Sequence, residues 1–147
     1  MDAQLLRLLR TRGHWPPLER AAGLYARAGE NGALWLAVAV LSRNRRAFGA
    51  VLATLAANTA IKQVVRRTRP ALADLPPLTR VISSRSYPSA HASTSFAGAA
   101  ALSRELPAPP LYAAAGAMAL TRPYLGVHWP SDVVAGALLG RAVEKLL

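Results

Sequence analysis

Residues 84–103 read SRSYPSAHASTSFAGAAALS, and the fold is read outward from this stretch. Its first half is polar and carries Pro88, Ser89 and His91. Its second half is almost entirely small and apolar. Pro88 has no amide hydrogen to donate and suits the first turn of a helix or the residues just before it. Ser89 is a capping residue, and Ala92 to Ser103 reads as helix. Ser89, Ala90 and His91 therefore stand at a helix N-terminus, where free N–H groups and the dipole favour an anion. Taken alone, the stretch is an ordinary capped helix with a surface histidine. Its chemical meaning depends on the segments that flank it.

On one side, Ala47 to Ile61 carries no charge and only Thr54, Asn58 and Thr59 as polar residues; it reads as a helix running into Lys62. On the other side, Leu111 to Leu120 is a second apolar helix, and Asp132 to Leu147 is the last. Upstream, Ala21 to Ser42 is interrupted by Arg27, Glu30 and Asn31, so its clean run is Ala33 to Leu41. Arg43 to Arg46 forms a basic turn. The first twenty residues mix Leu5, Leu6, Leu8 and Leu9 with Arg7, Arg10, Arg12 and Arg20. They fit a short interfacial helix or a frayed basic tail. Trp15-Pro16-Pro17 breaks any helix there, and His14 reads as a surface residue. Two polar segments remain, 62–87 and 121–131. The first is long for a compact chain, which marks it as functional or disordered. No strand pattern persists. The expectation is an all-α fold, a transmembrane helical bundle of about five short helices plus an N-terminal interfacial helix. It forms one domain, 1–147, with a basic amphipathic segment at 1–30 and a helical core at 31–147.

Composition narrows the function. Eighteen Lys and Arg face seven Asp and Glu, a net charge of +11, and all but two of the basic residues are arginine. Arginine grips phosphate with a bidentate fork and stays charged at any working pH. Such a balance points to nucleic acid, anionic lipid or a phosphorylated substrate. A hydrophobic content of 52% argues against nucleic acid. The absence of cysteine excludes disulfides and thiolate metal sites. The N-terminus lacks the apolar core of a secretory signal. The apolar runs are short against a hydrocarbon layer of roughly 30 Å. Yet 47–61 and 111–120 leave little surface to face water, so an integral membrane protein is expected over a soluble Ala-rich bundle.

Three polar clusters stand at the ends of successive helices: Lys62 to Pro70, Tyr87 to His91, and Arg122 to Asp132. In an up-and-down bundle these ends share one face. A single site can then collect Lys62, Arg69, Ser89, His91, Arg122, His128 and Asp132.

In pattern form the clusters are K-x6-R-P, P-S-x-H and R-x5-H-x3-D. Together they resemble the three-part signature of the type 2 phosphatidic acid phosphatase superfamily, which includes membrane lipid phosphatases, soluble acid phosphatases and vanadium haloperoxidases. The resemblance runs from about Ala47 to Gly140. The short Ala/Arg-rich chain is similar to the small membrane phosphatases of actinobacteria. Two positions depart from the family pattern. Ala90 stands where glycine is usual, and Thr121 stands where serine precedes the arginine.

The resemblance implies a lipid phosphate phosphatase that works without metal or cofactor and hydrolyses a phosphomonoester or pyrophosphate of a glycerolipid or polyprenyl substrate. His128 would be the nucleophile, forming a phosphohistidine. Asp132 would orient it, and His91 would protonate the leaving oxygen. Lys62, Arg69, Arg122, Ser89 and the backbone at Ala90 would bind the phosphoryl group. The alternatives are a soluble acid phosphatase of the same superfamily and a non-catalytic protein that binds anionic lipid. Arg66 and Arg67 read as helix-end cations or lipid contacts, and Tyr124 and Trp129 as interfacial or packing residues. The implied partners are the lipid phosphate and membrane lipids, with no nucleic acid. The implied location is the cell membrane, multi-pass. Basic residues are more numerous on the site face, which weighs toward the cytoplasmic side.

Overall fold

The structure, a computed structural model, describes residues 1–81 and 83–147, and among them every regular element is helical. In chain order these are α1 (Asp2–Thr11), α2 (Pro16–Ala28), a 3-10 turn (Glu30–Gly32), α3 (Ala33–Leu41), α4 (Arg45–Val65), α5 (Ala90–Leu102), α6 (Ala108–Tyr124) and α7 (Pro130–Lys145). The expected helical bundle is therefore observed, with α3 to α7 as its five-helix core. The N-terminal segment differs from the single interfacial helix expected, because Gly13 at φ +70° turns the chain between two helices. The 21–42 run is also divided. Asn31 (φ 51°) and Gly32 (φ 74°) are left-handed and cannot continue a helix. Pro109 and Pro110 fall in the first turn of α6, where the missing N–H groups cost nothing, so that helix starts at Ala108 rather than Leu111.

Helix α5 is the axis of the bundle. Apart from Phe96, it is buried continuously from Ala92 to Leu102. Its small side chains let α4, α6 and α7 pack around it. The closest approach is to α7, where a Cβ on Gly136 would lie 2.5 Å from the Ser89 carbonyl oxygen and one on Gly140 would lie 2.1 Å from that of Ser93. Trp35 of α3 lies flat against Gly98 and donates Nε1–H to Ser95 Oγ at 2.8 Å. Asn58 of α4 donates to the Pro88 carbonyl and to Ser93 Oγ, both at 3.2 Å. These buried bonds fix the start of α5 against α4.

At the end of the bundle far from the Pro88 turn, Glu144 is 4% exposed. It accepts from Arg46 Nε and Arg104 Nε, each at 3.0 Å. Outward faces are apolar: Leu52, Leu120, Val134 and Leu138 are all exposed. Among the described residues, only α4 is long and apolar enough to cross a membrane by itself.

Helices α1 and α2 pack against α6. Arg10 is buried and donates to the carbonyls of Tyr124 at 3.2 Å and Pro76 at 2.6 Å. His14 is not the surface residue expected. It stacks on Tyr124 with ring centroids 3.9 Å apart, and Nδ1 lies 3.0 Å from Glu19.

Candidate active site

A cavity of about 600 Å3 opens where the end of α4 and the start of α5 meet the end of α6. Lys62, Arg69, Ala90, His91, Arg122 and His128 line it, and Glu30, Arg80 and Arg85 stand among its other walls. Six of the eight residues expected from sequence thus reach one cavity. Ser89 and Asp132 are each 0% exposed and lie behind the wall. Ser89 caps α5, with Oγ accepting from the Ala92 amide at 3.5 Å. Its own N–H donates to the Asp132 carbonyl at 3.0 Å, which ties α5 to α7.

Local sequence explains these placements. Lys62 sits in the last turn of α4, and the chain leaves that helix through Arg66 in a left-handed conformation. Arg85 donates to the Lys62 carbonyl and to Gln63 Oε1, holding the polar loop against the helix end. Arg122 lies in the last turn of α6, next to Pro123. Gly126, at φ +76°, turns the chain so that His128 points back into the bundle. A Cβ there would also press on Arg10 Nε at 2.9 Å.

Hydrogen-bond chemistry assigns the His128 tautomer. Arg69 Nη1 lies 3.1 Å from His128 Nε2, and a guanidinium can only donate. Nε2 is therefore the bare nitrogen, and Nδ1 carries the proton. Nδ1 faces Asp132 Oδ2 at 3.5 Å, beyond good hydrogen-bond range, and has no closer partner. Burial is the main force that pushes His128 down to about 3; the Asp132 carboxylate opposes it, and Arg69, Arg122 and Lys62 reinforce it. The imidazole is thus neutral, with its lone pair directed at the arginine side of the cavity. Arg69 itself is held by two carbonyls, Ser83 through Nε and Val127 through Nη1, both at 2.6 Å.

His91 is arranged differently. Its Nε2 lies 2.9 Å from the Ala26 carbonyl, which can only accept. Nε2–H is therefore committed to α2, and proton exchange is left to Nδ1. The ring edge also abuts Gly29, where a Cβ would come within 3.1 Å of His91 Cδ2. Arg122 is 6% exposed, and its buried Nε has no hydrogen-bond partner. A buried guanidinium nitrogen left unpaired is costly unless an anion meets it.

Sequence reasoning misread Arg67. It is not a free helix-end cation. Its Nη1 donates to Asp132 Oδ1 at 2.8 Å and to Ser131 Oγ at 2.7 Å, and its Nη2 donates to Asp2 Oδ2 at 2.8 Å. Arg67 falls among the six unspecified positions of K-x6-R-P, and nothing in the spacing separates it from Arg66. Trp129 is more than packing: Nε1–H donates to the Thr68 carbonyl at 3.1 Å.

The chain is 37% identical to a decaprenylphosphoryl-5-phosphoribose phosphatase of Mycolicibacterium smegmatis, over 92% of this chain and 80% of that protein. It is 38% identical to the Mycobacterium tuberculosis protein of the same name, over 88% and 78%. Among crystal structures, Aquifex aeolicus LpxE superposes with a TM-score of 0.81 at 25% identity, covering 98% of this chain and 92% of the other. The fold is also that of the first transmembrane PAP2 type phosphatidylglycerolphosphate phosphatase from Bacillus subtilis, with a TM-score of 0.74 at 21% identity over 99% and 81%. Residues 45–147 match the PAP2 superfamily, and the chain belongs to it.

Proposed function

We propose that this chain is a multi-pass membrane phosphatase that removes the terminal phosphate from a prenyl-linked sugar phosphate through a phosphohistidine at His128. The observation that carries the reading is Arg122. A nearly buried guanidinium with an unpaired Nε shares one cavity with Lys62, Arg69 and two histidines. The substrate class follows the two mycobacterial relatives, whose names specify a decaprenyl-linked phosphoribose. Membrane insertion is supported by α4, by the apolar outward faces and by the fold shared with a transmembrane phosphatase.

The geometry supports two half-reactions. The three cations gather the phosphoryl oxygens and offset the charge that spreads over them in flight. His128 Nε2 attacks phosphorus, and the bond to the sugar oxygen breaks with its electron pair leaving on that oxygen. Burial and then the nearby Arg122, Lys62 and Arg69 push His91 down to about 4 in the free protein. The phosphate dianion offsets those cations, and His91, protonated at Nδ1 as it enters, gives that proton to this oxygen. The phospho-imidazole is positive, and the Asp132 carboxylate on its Nδ1 side stabilises it. Water then attacks phosphorus and passes a proton to His91 Nδ1, the P–N bond breaks, and phosphate leaves. Ala90, at the cavity wall, offers its backbone to the phosphate, while Ser89 shapes the site as the cap of α5.

The test is phosphate release by purified protein from prenyl-linked sugar phosphate, prenyl monophosphate, prenyl diphosphate and phosphatidate, with chelator present. Preference for the sugar phosphate supports the reading, and no release from any of them would overturn it. The excess of basic residues on the site face supports a cytoplasmic site. In that topology, Ala73→Cys in intact cells resists a membrane-impermeant thiol reagent; labelling places the site outside.

A further inference from the structure

Asp132 has no exposed surface, and each of its oxygens has a separate task. Oδ2 accepts from the Trp129 amide at 2.9 Å and faces His128 Nδ1. Oδ1 accepts from Arg67 at 2.8 Å. Arg67 is fixed in turn. Its second terminal nitrogen is held by Asp2 of α1, and its guanidinium lies 5.4 Å from the centre of the Trp129 ring. Asp2 also accepts from the Ser131 amide at 3.0 Å and from the Ser131 hydroxyl, so it grips both Arg67 and the first turn of α7. Arg67 does not line the cavity and is not placed to touch substrate.

We infer that Arg67, itself oriented by Asp2, is a positioning residue that aims the Asp132 carboxylate at the nucleophilic histidine. The inference rests on the reading of His128 as nucleophile. One arm of the guanidinium holds Oδ1 and the other is anchored on Asp2, so rotation of the carboxylate about Cβ–Cγ is resisted and Oδ2 is kept facing the imidazole. Without the clamp, Asp132 is a buried anion held by one amide and free to swing. The chain also gains a link between its N-terminal helix and the chemistry. Asp2 lies far from the cavity in sequence, yet only Arg67 separates it from Asp132.

The experiment is rapid-quench kinetics of phosphoprotein formation on full-length protein, with steady-state kcat and KM, for wild type, Arg67→Ala, Arg67→Lys and Arg69→Ala. In Arg67→Ala the rate of phosphoprotein formation falls about tenfold to a hundredfold, the cost of losing roughly an ångström of alignment. Its burst amplitude stays at one per folded molecule and its KM within about threefold of wild type. Arg67→Lys recovers part of the rate, because a point charge still reaches Oδ1 but cannot bridge Asp132 and Asp2 with two fixed arms. Arg69→Ala instead raises KM. The inference is overturned if Arg67→Ala raises KM with kcat kept, or if its rate is unchanged and only the burst amplitude shrinks, which is a folding defect. Should Arg67→Ala fail to fold, Asp2→Ala replaces it, with a smaller loss of rate at unchanged KM expected and an unchanged rate decisive against. Failure of the underlying reading is distinct: wild type then gives no phosphoprotein burst, or His128→Ala still gives one.

Discussion

Alanine at Gly136 or Gly140 adds one methyl group at the contact on which the site's geometry depends. The new Cβ atoms would stand 2.5 Å from the Ser89 oxygen and 2.1 Å from the Ser93 oxygen, each about an ångström short of ordinary contact, which begins at 3.4 Å. Both obstacles are backbone, so no side chain can swing aside, and α5 and α7 must separate. Overpacking of this kind costs about 1–3 kcal/mol. The same separation draws His91, on α5, away from Asp132, on α7, and a displacement of about 1 Å at a reacting centre can cost about a hundredfold in rate. Gly136→Ala, beside Ser89, is expected to lose more activity. Gly140→Ala, with the harder collision, is expected to lose more stability. Gly49 and Gly116 also lie inside helices but face open space. There the same substitution is expected to raise stability by about 0.5–1 kcal/mol, because alanine restricts the unfolded chain. Thermal unfolding in detergent and phosphate release are measured on all four variants. If Gly136→Ala and Gly140→Ala melt and turn over like wild type, the two helices do not touch as described and the reasoning fails.

His128→Ala is expected to abolish the phosphoprotein, while His91→Ala still forms it and is slowed most on alkyl phosphates and least on an aryl phosphate whose leaving oxygen needs little protonation; rate against leaving-group pKa separates the two. Arg122→Ala is expected to lose at least about a hundredfold in kcat/KM, with Arg122→Lys only partly restored, since lysine supplies charge without the fork; equal activity of the two would mean that charge alone matters. His128 binds its proton near 3 in the folded protein against 6.5 in the unfolded chain, so the unfolded state takes up more protons between those values and stability falls as pH drops through that window. Melting curves from pH 7 to 4.5 are expected to fall more steeply for wild type than for His128→Gln, by up to about 1.4 kcal/mol per pH unit.

The five core helices were legible because each contains an uncharged, mostly apolar stretch of eight residues or more, with Pro, Gly or charged residues near its ends. The residues of the cavity wall were legible because their motifs fall at helix ends that an up-and-down bundle brings together. The break at Asn31-Gly32 carries a readable signal, a turn-forming pair inside an apolar run. So does Gly136-x3-Gly140, whose spacing places both glycines on one helix face. Neither Arg67 nor Asp2 carries such a signal. Their roles arise from a contact among the first turn of the chain, the segment after α4 and the start of α7, and Arg66 and Arg69 nearby carry the same charge. His14 misled because its burial depends on Tyr124, a partner more than a hundred positions away.

The cavity holds Lys62, Arg69 and Arg122 together with Glu30 standing off at its rim, so the empty protein stores mutual repulsion among its cations. Any anion that enters relieves it, and binding to the folded state alone adds about 2.7 kcal/mol of stability at a hundred times Kd. Inorganic phosphate, the released product, is such an anion. A phosphate-rich medium therefore hardens this protein against heat and slows its turnover in the same measure, because one counter-ion does both.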